Sequence, residues 1–154
     1  MAIDLRTRAL EVLQNSHLMS LATHDDGGVW VADVIFVHDD DFQIYWMSDP
    51  DSRHSKAIAK GLLAAGSITA SNKNGEPNLG VQFSGKVEKI EGARYDLATK
   101  HLFKRGHVAP TSAHDVDAMM EGDSWYTLIP SKMRLIDEEN FGYEARDVPL
   151  SPGE

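Results

Sequence analysis

Apolar and polar positions recur first at a helical spacing and then, for most of the chain, at a spacing of two. Leu5, Ala9, Leu10 and Leu13 share one side of a 3.6-residue repeat and Asp4 can cap it, which predicts an amphipathic helix over 3–14. From His17 the period changes. HLMSLAT (17–23) and VWVADVIFV (29–37) read as strands, and His24-Asp25-Asp26-Gly27-Gly28 is turn chemistry joining them as antiparallel neighbours. The acidic corner Asp39-Asp40-Asp41 predicts a second tight connection, into a strand where Phe42, Ile44 and Trp46 alternate. Asp49-Pro50 marks the next turn, and Ser52 is an N-cap candidate for a helix over 52–63 carrying Ala57, Ile58 and Leu62.

The second half continues in strands. Gly66 to Ser71 predicts a short one, and Asn74-Gly75 is a hairpin signal leading into Asn78 to Ile90. There Leu79, Val81 and Phe83 alternate with Gly80, Gln82 and Ser84, and Gly85 predicts a bend or bulge. Glu91 to Arg105 reads as a helix with Tyr95, Ala98 and Leu102 on one face and Gly106 as its stop. GHVAPTSAHDV (106–116) has no period and predicts a loop, a candidate lid over a site. WYTLIPSKMRLI (125–136) alternates again, and Pro130 requires an edge position, a bulge or a break. The Pro-, Gly- and charge-rich segment 146–154 is expected to fray, leaving one domain over 1–145. Six or more short strands with two or three helices predict a mainly β chain with flanking helices, closed or partly closed into a barrel.

Composition narrows the function classes. A chain of 154 residues with 42% hydrophobic content suits one domain with a full core. The absence of cysteine excludes disulfides, thiolate metal sites and thiol catalysis, and is compatible with a reducing compartment. No run of signal or membrane-spanning character is visible, so the expected location is the cytoplasm, with no membrane partner. A net charge of −9 argues against nucleic acid, whose binders draw most of their affinity from phosphates. Any anion must be held locally. The start of the helix after Ser52 offers such a place, because its first N–H groups are unpaired and Arg53, His54, Ser55 and Lys56 add donors. A phosphate near −2 suits the planar fork of Arg53 and the compact charge of Lys56. His101, His107 and His114 lack the short fixed spacing of a zinc site, so no metal is expected, and no serine sits in a Gly-x-Ser-x-Gly elbow.

The order VWVADVIFV, IYWMSDPDSRHSKAI, GVQFSGKVEKIEG, then a helix and WYTLIPSKMRLID resembles the pyridoxamine 5'-phosphate oxidase-like FMN-binding split barrels, in a small bacterial branch of uncharacterised members. These motifs cover most of positions 16–137. The resemblance implies a six-stranded antiparallel split barrel that forms a homodimer with FMN at the interface. It assigns the flavin ring to the strand of Asp33, Val34, Ile35 and Phe36, continuing to Val37 and contacted largely through backbone groups, with Met47 and Ser48 at the end of the next strand. It assigns the phosphate to Arg53, Ser55 and Lys56, with His54 beside them, places Gln82 near the ring, and brings Trp125, Lys132 and Arg134 of the last strand toward the flavin of the partner subunit. Gly80, on the same strand as Gln82, would also lie near the ring. Two departures count against oxidation of pyridoxamine phosphate itself. The end reads GYEARDVPLSPGE, without the Arg-Leu-x-Pro pattern of authentic oxidases, and the phosphate segment reads Arg-His-Ser-Lys rather than Ser-Arg-Lys.

The resemblance thus implies a flavin-dependent oxidoreductase acting on an unidentified small molecule or reductant, with the cofactor supplying the redox chemistry. The alternative is a non-catalytic dimeric module that carries or senses FMN, haem or a deazaflavin. His107 or His114 would be the first haem candidates.

Overall fold

A computed structural model of the chain describes residues 2–106 and 113–153, Ala113 and His114 by backbone alone. Helix α1 (Leu5–Asn15) is capped as its sequence predicts, the Thr7 N–H donating to Asp4 Oδ1 at 2.9 Å. Strands β1 (Leu18–Asp25) and β2 (Gly28–His38) pair antiparallel across a two-residue turn, Asp26-Gly27. β3 (Ile44–Ser48) follows the acidic corner, where Asp39 Oδ1 accepts from the N–H groups of Asp41 and Gln43. Phe42, expected to begin this strand, instead ends the corner at φ +65°, an unusual conformation for a bulky side chain. Its ring is fully buried, and that burial holds the turn in place.

α2 (Arg53–Lys60) starts at the Ser52 cap and stops earlier than its apolar pattern suggests, with the Gly61 N–H closing on the Ala57 carbonyl. Leu62, expected on the buried face of that helix, is 71% exposed beyond it. The chain goes on through β4 (Leu63–Thr69), β5 (Leu79–Ile90), α3 (Tyr95–Lys104), α4 (Ala113–Met119), β6 (Ser124–Asp137), α5 (Glu138–Phe141) and β7 (Arg146–Asp147). The sheet order is β3-β2-β1-β4-β5-β6-β7, and a further β3–β6 pairing closes the first six strands into an antiparallel barrel. The fold is therefore mainly β, a closed six-stranded antiparallel barrel with a seventh strand and flanking helices.

Closure is incomplete between β2 and β3. Those strands pair over only three positions, from Phe36↔Trp46 to His38↔Ile44. The rest of β2 is bonded to β1 alone. The Phe36 N–H donates to the His17 carbonyl, so the even positions of β2 direct their backbone groups to β1. By antiparallel alternation the N–H and C=O groups of Val29, Val31 and Asp33 point to the open edge, and Ile35 adjoins the end of the β3 pairing.

Pro130 takes the bulge among its three options. Ser84 pairs with Lys132 but Gly85 with Pro130, leaving Ser131 as the extra residue. A Cβ at Gly85 would lie 2.0 Å from the Ile129 carbonyl oxygen, so glycine is required there. The bulge also reverses the phase of β6. Tyr126 and Leu128 enter the barrel before it and Met133 and Leu135 after it, which turns Lys132 and Arg134 outward.

The barrel interior holds Met19, Leu21, Phe36, Ile44, Trp46 and Phe83, joined by Ala9, Val12 and Leu13 from α1 and Ile58 from α2. A second cluster lies outside the barrel wall, where α3 and α4 cover Val37, Tyr45 and Trp125. On α3 the covered residues are Leu97, Ala98 and His101, whereas Tyr95, expected on that face, is 47% exposed. Of the expected loop 106–116, residues 107–112 lie outside the described residues and Ala113 to Val116 belong to α4. In the segment 146–154, expected to fray, β7 pairs with β6, Val148 is buried and Arg6 Nη1 donates to the Pro149 carbonyl at 2.7 Å.

Candidate functional site

The start of α2 meets the tip of the β1–β2 hairpin across an open cleft of about 810 Å³. Arg53 lies here, but not as a free donor. Its Nε and Nη2 donate to the two Asp25 carboxylate oxygens at 2.8 and 3.1 Å, and its guanidinium stacks 4.5 Å from the Trp30 ring centroid. The same hydrogen bonds hold the Asp25 carboxyl below its usual range. Lys56 and Lys60 line the cleft with Arg53, facing Asp25, Asp26 and Asp51. Three cations against three carboxylates leave the cleft near neutral, apart from His24, so an entering phosphate competes with Asp25 for the Arg53 fork.

His54 and Ser55 turn inward. His54 Nε2 lies 2.9 Å from Ser48 Oγ and 3.2 Å from Ser52 Oγ, and Ser52 Oγ and Ser55 Oγ are hydrogen-bonded at 2.7 Å. Burial pushes the His54 pKa below the ordinary histidine value, so the ring is neutral near pH 7. This relay ties the end of β3 to the first turn of α2 and fixes where that turn presents its N–H groups.

The β2 residues divide by parity. Val34 and Phe36 point into the barrel, while Asp33 and Ile35 face outward beside the open edge. Asp33 accepts from Ser20 Oγ at 2.7 Å. Met47 packs in the cluster under α3 and α4, and so does Trp125. Trp125 is fully buried and its Nε1 donates to the Ala93 carbonyl at 3.0 Å, so it serves as packing within this chain.

Gln82, Lys132 and Arg134 stand exposed on the outer face of the sheet. Cross-strand register runs Asp33↔Ser20↔Ser67↔Gln82↔Arg134, all on that one face. At about 4.8 Å per strand, Gln82 lies about 14 Å and Arg134 about 19 Å along the sheet from Asp33. A single chain therefore splits the expected site in two. One group gathers at the β2 edge and the start of α2, and the other stands across the sheet. Between them the floor is made of small residues, Ser20, Ala22, Ala65 and Ser67, rimmed by Val29, Val31 and Leu63 at 73, 57 and 75% exposure.

Asp25 and Trp30, which orient Arg53, were not legible as site residues. Asp25 reads as turn chemistry, 28 positions from its partner, and Trp30 reads as one more strand aromatic. Among the described residues no three His, Asp or Glu side chains gather as a metal site, and no helix is long and apolar enough to cross a membrane. His107 lies outside the described residues, as does the side chain of His114.

No family model matches the chain. It is 28% identical over 108 residues to the UPF0306 protein YhbP of Salmonella paratyphi A, covering 70% of this chain and 74% of that protein. Among solved structures it resembles the conserved hypothetical protein Rv2991 of Mycobacterium tuberculosis, with a TM-score of 0.75, 15% identity, and 97 and 93% of the two chains covered. A pyridoxamine 5'-phosphate oxidase-like protein of Listeria innocua superposes with a TM-score of 0.65 at 13% identity, over 86 and 98% of the chains. HutZ, the heme storage protein of Vibrio cholerae, does so at 0.66 and 13%, over 85 and 94%. These likenesses establish the fold. The chain has the split-barrel architecture of the pyridoxamine 5'-phosphate oxidase-like proteins, as its motif order implied.

Proposed function

We propose that this protein binds FMN between two copies of the chain and acts as a flavin-dependent oxidoreductase on a small organic molecule. One observation carries the reading: the open edge of β2, where backbone groups of Val29, Val31 and Asp33 have no strand partner and adjoin the basic start of α2. Alternating N–H donors and C=O acceptors on a strand edge match the amide-like rim of an isoalloxazine ring. The first N–H groups of α2, with Arg53 and Lys56, match its phosphate. The fold of the Listeria protein supports the same choice.

The second copy follows from the divided site. Gln82, Lys132 and Arg134 are too far along the sheet to meet a ring at the β2 edge of their own chain, but a two-fold partner can bring its own set there. Charge supports this docking, since Asp33 marks one side of the face and Lys132 and Arg134 the other, so an isologous pairing sets opposite charges together. The exposed Val29, Val31 and Leu63 would then be covered.

Bound flavin supplies the hydride chemistry, and the chain binds, orients and excludes water. Arg146 and Pro149 are engaged within the chain. Arg146 pairs with Glu144 at 3.2 Å and lies over Phe141, and the Pro149 carbonyl accepts from Arg6, so neither serves as a grip for a substrate phosphate. This supports a substrate other than pyridoxamine phosphate.

The test is a titration of the purified protein with FMN, followed by flavin fluorescence quenching and by sedimentation. Saturable quenching by a dimer is expected. A protein that leaves FMN fluorescence unchanged but develops a Soret band with haemin would replace this reading with haem binding.

A further inference from the structure

A cavity of about 430 Å³ lies between the end of α1, the end of β2 and the outer side of α3, apart from both the cleft and the sheet face. Val37 and Phe103 give it apolar walls, and Phe103 is 71% exposed at its mouth. Lys100 and Lys104 face it against a single carboxylate, Asp40, in a chain whose net charge is −9. Among the described residues neither ammonium forms an ion pair. Lys104 Nζ donates to the carbonyls of Leu13, at 2.7 Å, and Ser16, and sits 4.5 Å above the Phe36 ring centroid. Lys100 Nζ donates to the His38 carbonyl at 3.0 Å. With three N–H groups on each ammonium, one remains for a ligand on Lys104 and two on Lys100.

His38 also lines the cavity, without offering a donor to an anion. Its Nδ1 lies 3.0 Å from the Asp39 carbonyl, which can only accept, so the proton sits on Nδ1 and Nε2 carries the lone pair. Burial lowers its pKa, keeping the ring neutral near pH 7. We propose that this cavity is a second binding site, independent of the flavin reading, for a small aromatic carboxylate whose anion sits between Lys100 and Lys104 and whose ring packs on Phe103 and Val37. The volume accommodates a bicyclic acid, and charge-assisted donors on one side with an aromatic wall on the other select an anion with a flat apolar body.

Isothermal titration of the full chain with 1-naphthoate tests this. The wild type is expected to bind one equivalent, Lys100→Gln and Phe103→Ala each to weaken binding by about fivefold or more, and Lys56→Gln, in the α2 cleft, to leave it unchanged. Lys100 and Phe103 are exposed, so their variants keep the core intact, and a thermal melt verifies this. Absence of binding to the wild type, equal affinity in Lys100→Gln and Phe103→Ala, or loss in Lys56→Gln would each overturn the proposal.

Discussion

The start of α2 and the β5–β6 stretch of the sheet face both carry basic residues, yet they are held differently. At α2, Arg53 is clamped by Asp25 and Trp30, and His54 and Ser55 are locked into a relay with Ser48 and Ser52. On β5–β6, Gln82 and Lys132 project outward from a strand pair, and Arg134 has a single long contact, 3.3 Å to Asp147. The first region is ordered before any ligand arrives, although a phosphate must still displace Asp25 from the Arg53 fork. The second must be ordered on binding, which costs about 0.5–1.5 kcal/mol for each long side chain immobilised. A site shared by both would have one rigid half and one half completed by the partner copy.

The comparison can be broken at several points. The largest effect is expected from Gly85→Ala, which forces a Cβ onto the Ile129 carbonyl at the bulge that aims Lys132 and Arg134. A loss of about 3 kcal/mol is expected from chemical denaturation. Next comes Ala65→Arg, at the middle of the small-residue floor between Ala22 and Ser84. It should abolish the proposed dimer, read by sedimentation, and weaken FMN by about a hundredfold. A monomer that kept full FMN affinity would show that the α2 half holds the cofactor unaided.

Arg53→Ala should weaken FMN by about thirtyfold, because one charged fork is removed from the rigid half. Asp25→Asn works in the opposite direction. It leaves Arg53 without a competing carboxylate, and affinity is expected to rise by about fivefold, read by the same fluorescence titration. Should Asp25→Asn weaken FMN instead, the carboxylate is positioning Arg53 rather than competing for it.

The smallest effect concerns stability. Burial pushes the Lys104 pKa down to about 8 in the folded chain, from the ordinary lysine value of 10.5. Between those values the unfolded chain still holds the proton that the folded chain has released, so this group raises stability as pH rises from about 8 to 10.5. Melting curves across that range should show the rise in the wild type and its absence in Lys104→Met.

Several elements were legible because local chemistry decides them. The Asp4 and Ser52 caps, the Asp26-Gly27 turn, the Gly85 bulge and the alternation of β5 all follow from residue types at fixed offsets. The structure departs from the local pattern where that pattern runs through a stop or a reversal. Leu62 kept the helical period past Gly61, and Tyr95 kept it on a face that packing against Val37 and Trp125 assigned to Leu97 and His101. Residues of the candidate site separated in the same way. Arg53 to Lys56 could be named from a helix start alone, whereas Trp125 went under α3 and α4 because a second layer covers that part of the barrel wall.

The sequence by itself determined the six barrel strands to within a few residues, their hairpin order, the capped helix start and the basic residues placed on it, because each depends on neighbours a few positions away. Tertiary structure decided the rest. Only the folded barrel brings Asp25 to Arg53 across 28 positions, opens β2 from β3 beyond Phe36, and sets Asp33 and Arg134 in one row at opposite ends of a sheet face. Those relations come from barrel closure and from the phase reversal at Gly85. Both are properties of strand pairing between distant segments, which no local spacing encodes.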